Sequence, residues 1–226
     1  CYWGYSGDDK IHGIAVLADG DFVIVGETTS TDFNVSSEDQ TALNGNRDGF
    51  FAHFVNNGSL LVGSYIGGSA EDALLDVTYT DSGRLLASGI TESSDFPTTA
   101  GNYQPNANGG FESIILELDL ARQGPEPNVQ YATYFGGSGH DSAQEIVEDG
   151  YGDIYIVGTS NSPDYPVVGS AANMPTATPG LVVTKFDAAI ARVLFSTFEG
   201  NAMNFWSGES IAVSDEGDIV VTGMVE

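Results

Sequence analysis

The fold is decided by a stretch near the middle of the chain, residues 152–165, which reads GDIYIVGTSNSPDY. Two glycines and an Asp-Tyr pair stand at equal spacing in it, giving the pattern G-x₅-G-x₅-D-[FY]. The same pattern begins at Gly20 and at Gly83, and its first half returns at Gly217. The four copies begin 63, 69 and 65 residues apart. This period predicts a repeat architecture in which each unit buries its apolar residues against its neighbours.

Each unit contains short runs of β-branched and aromatic residues separated by Gly, Asn and Asp, which is typical of strands joined by turns. In the best-formed copy the runs lie at residues 111–118, 131–135, 142–148 and 154–158. Turn residues at 18–21 and 80–83 indicate tight hairpins, because Gly and Asp accept a positive φ at little cost. The sequence therefore predicts four antiparallel strands per unit and no helix.

Many of these runs are apolar at consecutive positions, as in Phe50-Phe51-Ala52, which indicates strands covered on both faces. Blades of a β-propeller are covered in this way, whereas rungs of a solenoid β-helix are usually shorter than this unit. We therefore predict an all-β fold, a β-propeller built of four-stranded antiparallel blades.

The predicted blade boundaries follow from taking the strand after each long connection as the innermost one. Residues 1–226 then form a single propeller segment, with a partial unit at about 1–26 and full units at about 49–90, 111–159 and 181–225. This amounts to about three and three-quarter blades, fewer than the four to eight of a closed propeller. We expect further blades or a partner chain to complete the propeller.

The chain resembles a known family at three places in its third copy: residues 134–141 (YFGGSGHD), 152–160 (GDIYIVGTS) and 163–166 (PDYP). These resemble the SBBP-type, seven-bladed β-propeller repeat of secreted and cell-surface bacterial and archaeal proteins, and similar motifs recur along the chain. The resemblance implies a propeller fold and an extracellular or cell-surface location. It implies no catalytic motif, because the family is defined by a structural repeat.

The charge of the chain excludes several classes of partner. Thirty-two acidic residues stand against six Lys and Arg, for a formal net charge of −26. Nucleic acids and anionic membrane surfaces are unfavourable partners, because binding them needs a basic surface. Direct membrane insertion is also not expected, since no apolar run approaches the ~18 residues that a spanning helix needs. The acidity suits a saline exterior, in agreement with an extracellular location.

Recurring aspartates form the candidate metal site. They fall into two sets, both in loops that propeller topology places on one face: Asp9, Asp72 and Asp141, and Asp32, Asp95 and Asp164. Clustered carboxylates with loop carbonyls can supply the oxygen ligands of Ca²⁺, so calcium is the one cofactor that the sequence suggests. The alternative is that each Asp accepts backbone hydrogen bonds and caps a turn.

Trp3 and Trp206, near loops of the same face, are the candidate ligand-binding residues, because indole rings stack on sugars. No catalytic residue is predicted. His140-Asp141 beside Ser138 or Ser142 resembles parts of a catalytic triad, but the other copies preserve no base there.

We therefore expect a non-catalytic extracellular module for binding or structure, with a role in cell-surface adhesion or assembly and with a protein or glycan as partner. The alternative is a carbohydrate-binding (lectin-like) or polysaccharide-degrading propeller.

Overall fold

The computed structural model describes residues 4–35, 40–120, 129–169, 179–200, 206–214 and 217–225. These residues form fourteen β-strands, and none of them lies in a helix that could cross a membrane. The strands are β1 (Asp9–Val16), β2 (Phe22–Thr28), β3 (Asp48–Phe54), β4 (Leu60–Ile66), β5 (Asp72–Tyr79), β6 (Leu85–Thr91), β7 (Glu112–Leu118), β8 (Val129–Phe135), β9 (Asp141–Glu148), β10 (Ile154–Ser160), β11 (Gly180–Phe186), β12 (Val193–Glu199), β13 (Trp206–Val213) and β14 (Ile219–Val225). The predicted all-β propeller class is confirmed.

The strands form four antiparallel sheets in sequence order. Strands β1–β4, β5–β8 and β9–β12 make the first, second and third sheets, and β13 and β14 make a two-stranded fourth sheet. The predicted units 49–90, 111–159 and 181–225 were wrong by two strands, because each joins the last half of one sheet to the first half of the next. The first three residues of the predicted unit 1–26 lie outside the described residues.

Connection length explains this error. The long connection 29–47 joins β2 to β3 inside one sheet, where Phe22 to Thr28 pair with Phe54 to Asp48. The short link 67–71 instead carries the chain from the first sheet to the second. A long loop places no constraint on whether the strands it joins are paired, so it was a poor marker of a blade boundary.

The radial order of the strands also differs from the prediction. The first strands of successive sheets, β1, β5, β9 and β13, contact one another in series. These strands therefore form the inner edge of the propeller, and β4, β8 and β12 lie at the far edge of their sheets. The strands predicted to be innermost, β3, β7 and β11, are third in each sheet.

The repeated glycines have two different structural causes. Gly20, Gly83, Gly152 and Gly217 close the first hairpin of each sheet with φ between 85° and 88°, a region that other residues rarely adopt. Each second glycine, such as Gly26, lies where a Cβ would collide with a carbonyl oxygen of the first strand, here that of Lys10. Both glycines of the pattern are thus required by the backbone.

Apolar residues fill the spaces between neighbouring sheets. Val23 and Val25 of the first sheet pack with Leu74 and Val77 of the second. Equivalent clusters lie between the second and third sheets and between the third and fourth. Because each sheet is covered by its neighbours, its strands are apolar on both faces, as the sequence predicted.

Candidate functional site

The connections between β2 and β3 and between β4 and β5, with their equivalents, meet on one face of the molecule, which we call the loop face. Ser69 of one connection donates its backbone N–H (2.8 Å) and its hydroxyl (3.0 Å) to Asp95 of the next. Asp32 and Asp164 accept the same pair of bonds from Ser6 and Ser138. These contacts place Asp32, Asp95 and Asp164 on the loop face, as the sequence predicted.

Asp72, at the start of β5, is a buried hydrogen-bond acceptor, with 1% of its surface exposed. Its carboxylate accepts the Gly68 N–H (2.8 Å), the Ser93 hydroxyl (2.9 Å) and the Thr91 hydroxyl. Asp9 and Asp141 accept one backbone N–H and two hydroxyls in the first and third sheets: those of Tyr5, Thr28 and Ser30, and those of Gly137, Ser160 and Ser162. These aspartates join the link between two sheets to the end of the second strand.

Asp72 and Asp95, one from each set, differ in exposure and in pKa. Burial raises the pKa of Asp72 to about 6. The backbone N–H and then the hydroxyl of Ser69 lower the pKa of the exposed Asp95 below its ordinary value. Asp95 is therefore a charged surface cap, whereas burial disfavours the charged form of Asp72.

Calcium binding by these six aspartates stays a prediction. Their oxygens accept hydrogen bonds from turn residues, which is the arrangement that the turn-capping alternative predicts. In the part of the chain that the structure describes, no three Asp, Glu, His or Cys side chains gather closely enough to hold a metal ion.

A second kind of buried carboxylate was missed by the sequence analysis. Asp48 begins β3 and accepts the backbone N–H groups of Asn44 (2.8 Å) and Gly45 (3.0 Å). Glu112 is its equivalent at the start of β7, and burial raises the pKa of Glu112 to about 6. A single acidic residue opening an otherwise apolar strand was the available signal.

These carboxylates form pairs on the loop face. A Cβ added to Gly67 would lie 2.7 Å from Asp72 Oδ2 and 3.0 Å from Asp48 Oδ1, so the two acids flank one glycine. Gly136 is flanked in the same way by Glu112 and Asp141. The negative charge of Asp48 raises the pKa of Asp72 further, and that of Asp141 raises the pKa of Glu112 further.

Next to the first pair, between the first and second sheets, lies a group of charged residues that we call the ion-pair cluster: Lys10, Glu27, Arg47 and Glu71. Glu27 bonds Lys10 Nζ at 2.6 Å and lies 3.2 Å from Arg47 Nη1. Arg47 also reaches Glu71, at 2.5 Å. Burial alone would raise the pKa of Glu27, but Lys10 and Arg47 hold it below its ordinary value.

The equivalent place between the second and third sheets is an open cavity of about 260 Å³, which we call the inter-sheet pocket. By strand register Ile90 stands where Glu27 does, Phe111 where Arg47 does, and His140 where Glu71 does. The pocket is lined by these three residues with Asp141, Ser142, Thr159, Asn161 and Pro179. A charged cluster in one copy of the repeat is thus replaced by a largely apolar cavity in the next.

His140 is held over the loop before β7. Its Nδ1 accepts the Phe111 backbone N–H at 3.1 Å, and its ring centroid lies 5.5 Å from that of Phe111. A Cβ on Gly110 would lie 2.6 Å from His140 Cε1, so glycine at this position leaves room for the imidazole ring. Because Nδ1 is an acceptor, the neutral ring carries its proton on Nε2 and can donate it.

The remaining predicted site residues are not brought together. Ser138 donates to Asp164, and Asp141 accepts from Ser160 and Ser162, so the described contacts do not link a serine to His140. Trp3 lies outside the described residues, and Trp206 opens β13 with its side chain outside them. Sequence analysis missed the pocket, because its walls come from segments that only strand pairing aligns.

Comparison with known proteins agrees with this architecture. Residues 130–166, which run from β8 through β10, match the family model described as SBBP, beta-propeller repeat. A comparison with curated proteins found no match for the chain. The matched segment contains Asp141, whose equivalents in the first and second sheets are Asp9 and Asp72, and the pair of glycines that recurs in the other three sheets. This match to an SBBP β-propeller repeat agrees with the resemblance noted in the sequence.

Proposed function

We propose that this chain is a non-catalytic module of the cell exterior that assembles through the two end faces of its row of sheets. One observation carries the proposal. Ile11 and Ile14 of β1 are 52% and 61% exposed, although the repeat buries these positions elsewhere. Their equivalents Leu74 and Val77 are 0% and 4% exposed against the first sheet.

The other junctions show what these positions do. Ile146, equivalent to Ile14, packs against Leu86 and Ile115 of the preceding sheet. Ile211, its equivalent in β13, packs against Val157 and Val183. Ile14 therefore lies on a surface that three other copies use to join a preceding sheet.

The last sheet has the complementary surface. Val220 of β14 is 64% exposed, whereas its equivalents Val23, Leu86 and Tyr155 are at most 2% exposed beneath the next sheet. Isolated exposed apolar residues are ordinary, but matched apolar patches at both ends favour association. The partner that fits both ends is another sheet of the same repeat.

The chemistry of the loop face supports a non-catalytic role, because its recurring carboxylates accept structural hydrogen bonds. The net charge of −26 supports a saline, extracellular setting and disfavours nucleic acid. A carbohydrate-degrading or lectin-like function based on Trp3 and Trp206 stays a prediction.

Sedimentation velocity tests the end-face proposal. The chain should associate with rising concentration, because the β1 face of one copy can take the β14 face of another. Ile14→Asp and Val220→Asp should each remain monomeric alone. Mixed together they should form a one-to-one dimer, since each keeps the face that the other has lost.

A chain that remains monomeric throughout the micromolar range would overturn the proposal. So would association that survives in both variants. Val77→Asp is the matched control for folding, because the equivalent site is buried in every molecule. It should lower the melting temperature strongly, whereas Ile14→Asp should leave it nearly unchanged.

A further inference from the structure

The inter-sheet pocket has the shape and composition of a small ligand site. Its volume of about 260 Å³ is just below the ~300–1,000 Å³ typical of such sites. Ile90, Phe111 and Pro179 supply apolar walls, and Thr159 and Asn161 supply polar edges. The pocket lies on the loop face, away from both end faces, so it is independent of the assembly proposed above.

The charges around the pocket select a neutral ligand. The strongly negative chain disfavours anions. Asp141 is the carboxylate in the lining, and its oxygens already accept from Gly137, Ser160 and Ser162. It therefore offers little to a cation.

The polar groups in the lining offer hydrogen bonds to hydroxyls. His140 has Nε2–H as its remaining donor. The Asn161 side-chain oxygen accepts the His140 backbone N–H at 2.6 Å, which leaves its amide NH₂ to donate. The hydroxyl of Thr159 makes no hydrogen bond to any described residue, so it can donate or accept.

We propose that the inter-sheet pocket binds a neutral sugar ring. One apolar face of the ring packs against Phe111 and Ile90. Its hydroxyls bond to the His140 imidazole, the Asn161 amide and the Thr159 hydroxyl. A sugar ring fits because it combines an apolar face with a polar edge, as the pocket does. A purely apolar ring would leave these donors without partners, at a cost in affinity.

Saturation-transfer and ¹H–¹⁵N NMR with methyl glycosides of glucose, galactose and mannose test the site. At least one glycoside should shift the Phe111 and Asn161 signals in a saturable way. The decisive variant is Ile90→Glu/Phe111→Arg/His140→Glu, which introduces the equivalents of Glu27, Arg47 and Glu71 of the ion-pair cluster. It should bind at least tenfold more weakly, because charged side chains replace the apolar walls. It should remain folded, because the same three residues stand at these positions one repeat earlier.

Tyr151→Ala is the matched control, since Tyr151 is an aromatic residue that is 78% exposed in the first hairpin of the third sheet, outside the lining. It should leave sugar binding unchanged. Where the triple variant unfolds, Asn161→Ala provides the same comparison with a smaller change. Absence of saturable shifts with all three glycosides overturns the proposal. So does wild-type binding by the triple variant or, where that variant unfolds, by Asn161→Ala. Binding of toluene without binding of any glycoside also overturns it and identifies an apolar ligand instead.

Discussion

The junction between the first and second sheets and the junction between the second and third share a backbone arrangement with its buried acids, which we call the shared frame. They differ in the side chains beside those acids. Both carry a buried acid pair, flanking Gly67 in one and Gly136 in the other. Beside the pair, the first junction has the ion-pair cluster and the second has the inter-sheet pocket. The buried acids that accept backbone hydrogen bonds are kept at both junctions, whereas the residues beside them are exchanged.

This division explains why a repeat can change its surface without losing its fold. Loss of a cap leaves buried N–H and hydroxyl groups without their acceptor, at a cost near 1–3 kcal/mol for a group that finds no other partner. Exchange of partly exposed ion pairs for apolar residues costs much less, since such pairs are worth about 0–1 kcal/mol.

The largest expected effect is at the shared caps. Asp72→Ala and Asp141→Ala should each lower the free energy of unfolding by about 2–4 kcal/mol, because three donors lose their acceptor. Chemical denaturation at neutral pH measures this. Asp95→Ala, at the exposed cap of the same loop, is the control and should cost clearly less. Equal losses at Asp72 and Asp95 would contradict the distinction between buried and surface caps.

The second effect is a dependence of stability on pH that both junctions share. The pKa of Asp72 is about 6 in the folded protein and ordinarily 3.8, so the folded state holds an extra proton between these values. The free energy of unfolding therefore falls as pH rises from about 4 to 6. A pKa difference of one is worth about 1.4 kcal/mol, so the effect of Asp72 is on the order of 3 kcal/mol.

Glu112, with a pKa of about 6, should act in the same direction at the second junction. Thermal denaturation from pH 4 to 7 should show a falling melting temperature, with a shallower slope in Asp72→Asn and in Glu112→Gln. Asp95 has the opposite sign: its lowered pKa means that its contribution is lost as pH falls below about 3.8. A slope that neither variant changes would show that the buried acids do not cause it.

The sequence predicts the shared frame of strands, glycines and aspartates well. It predicts the residues that differ between the junctions poorly. The hairpin glycines, the strands and the common face of the aspartates follow from a local repeat, and each has a local cause. The order of strands across a sheet does not, because all four strands are similarly apolar. The pocket depends on Ile90, Phe111 and His140, which lie in three separate segments. Aligning the copies at these positions would have revealed three simultaneous changes from charged to largely apolar residues.

A moderate effect is expected from converting the first junction into the second. The changes are Glu27→Ile, Asn46→Gly, Arg47→Phe and Glu71→His. The free energy of unfolding should fall by about 1 kcal/mol or less, because the ion pairs are partly exposed. The variant should gain a second set of saturable NMR shifts with any ligand that the natural pocket binds. The reverse triple variant described above is the control, and a large loss of stability would show that the ion-pair cluster belongs to the shared frame.

The smallest effect on stability is expected at Gly110. The equivalent residue of the first junction, Asn46, has a Cβ that Gly110 lacks. The first junction therefore accommodates a Cβ that the second does not. In Gly110→Ala the new methyl would meet the His140 ring, which is exposed and can move aside. The hydrogen bond from Phe111 to Nδ1 would then be lost, at about 1 kcal/mol. Restricting the unfolded chain returns about 0.4–1 kcal/mol, so the net change should be close to zero.

The same substitution should nevertheless reshape the pocket. The His140 Cε1–H and Phe111 N–H signals should shift in NMR spectra, and binding of any pocket ligand should weaken. Gly150→Ala is the matched control, because nothing lies within 4 Å of the added methyl. An unchanged His140 signal in Gly110→Ala would mean that the ring does not contact residue 110. Gly110 would then have no part in shaping the pocket. A shifted signal at unchanged stability would show that the absence of a side chain at Gly110 sets the position of the His140 ring, and that the stability of the fold depends on the buried acids common to both junctions.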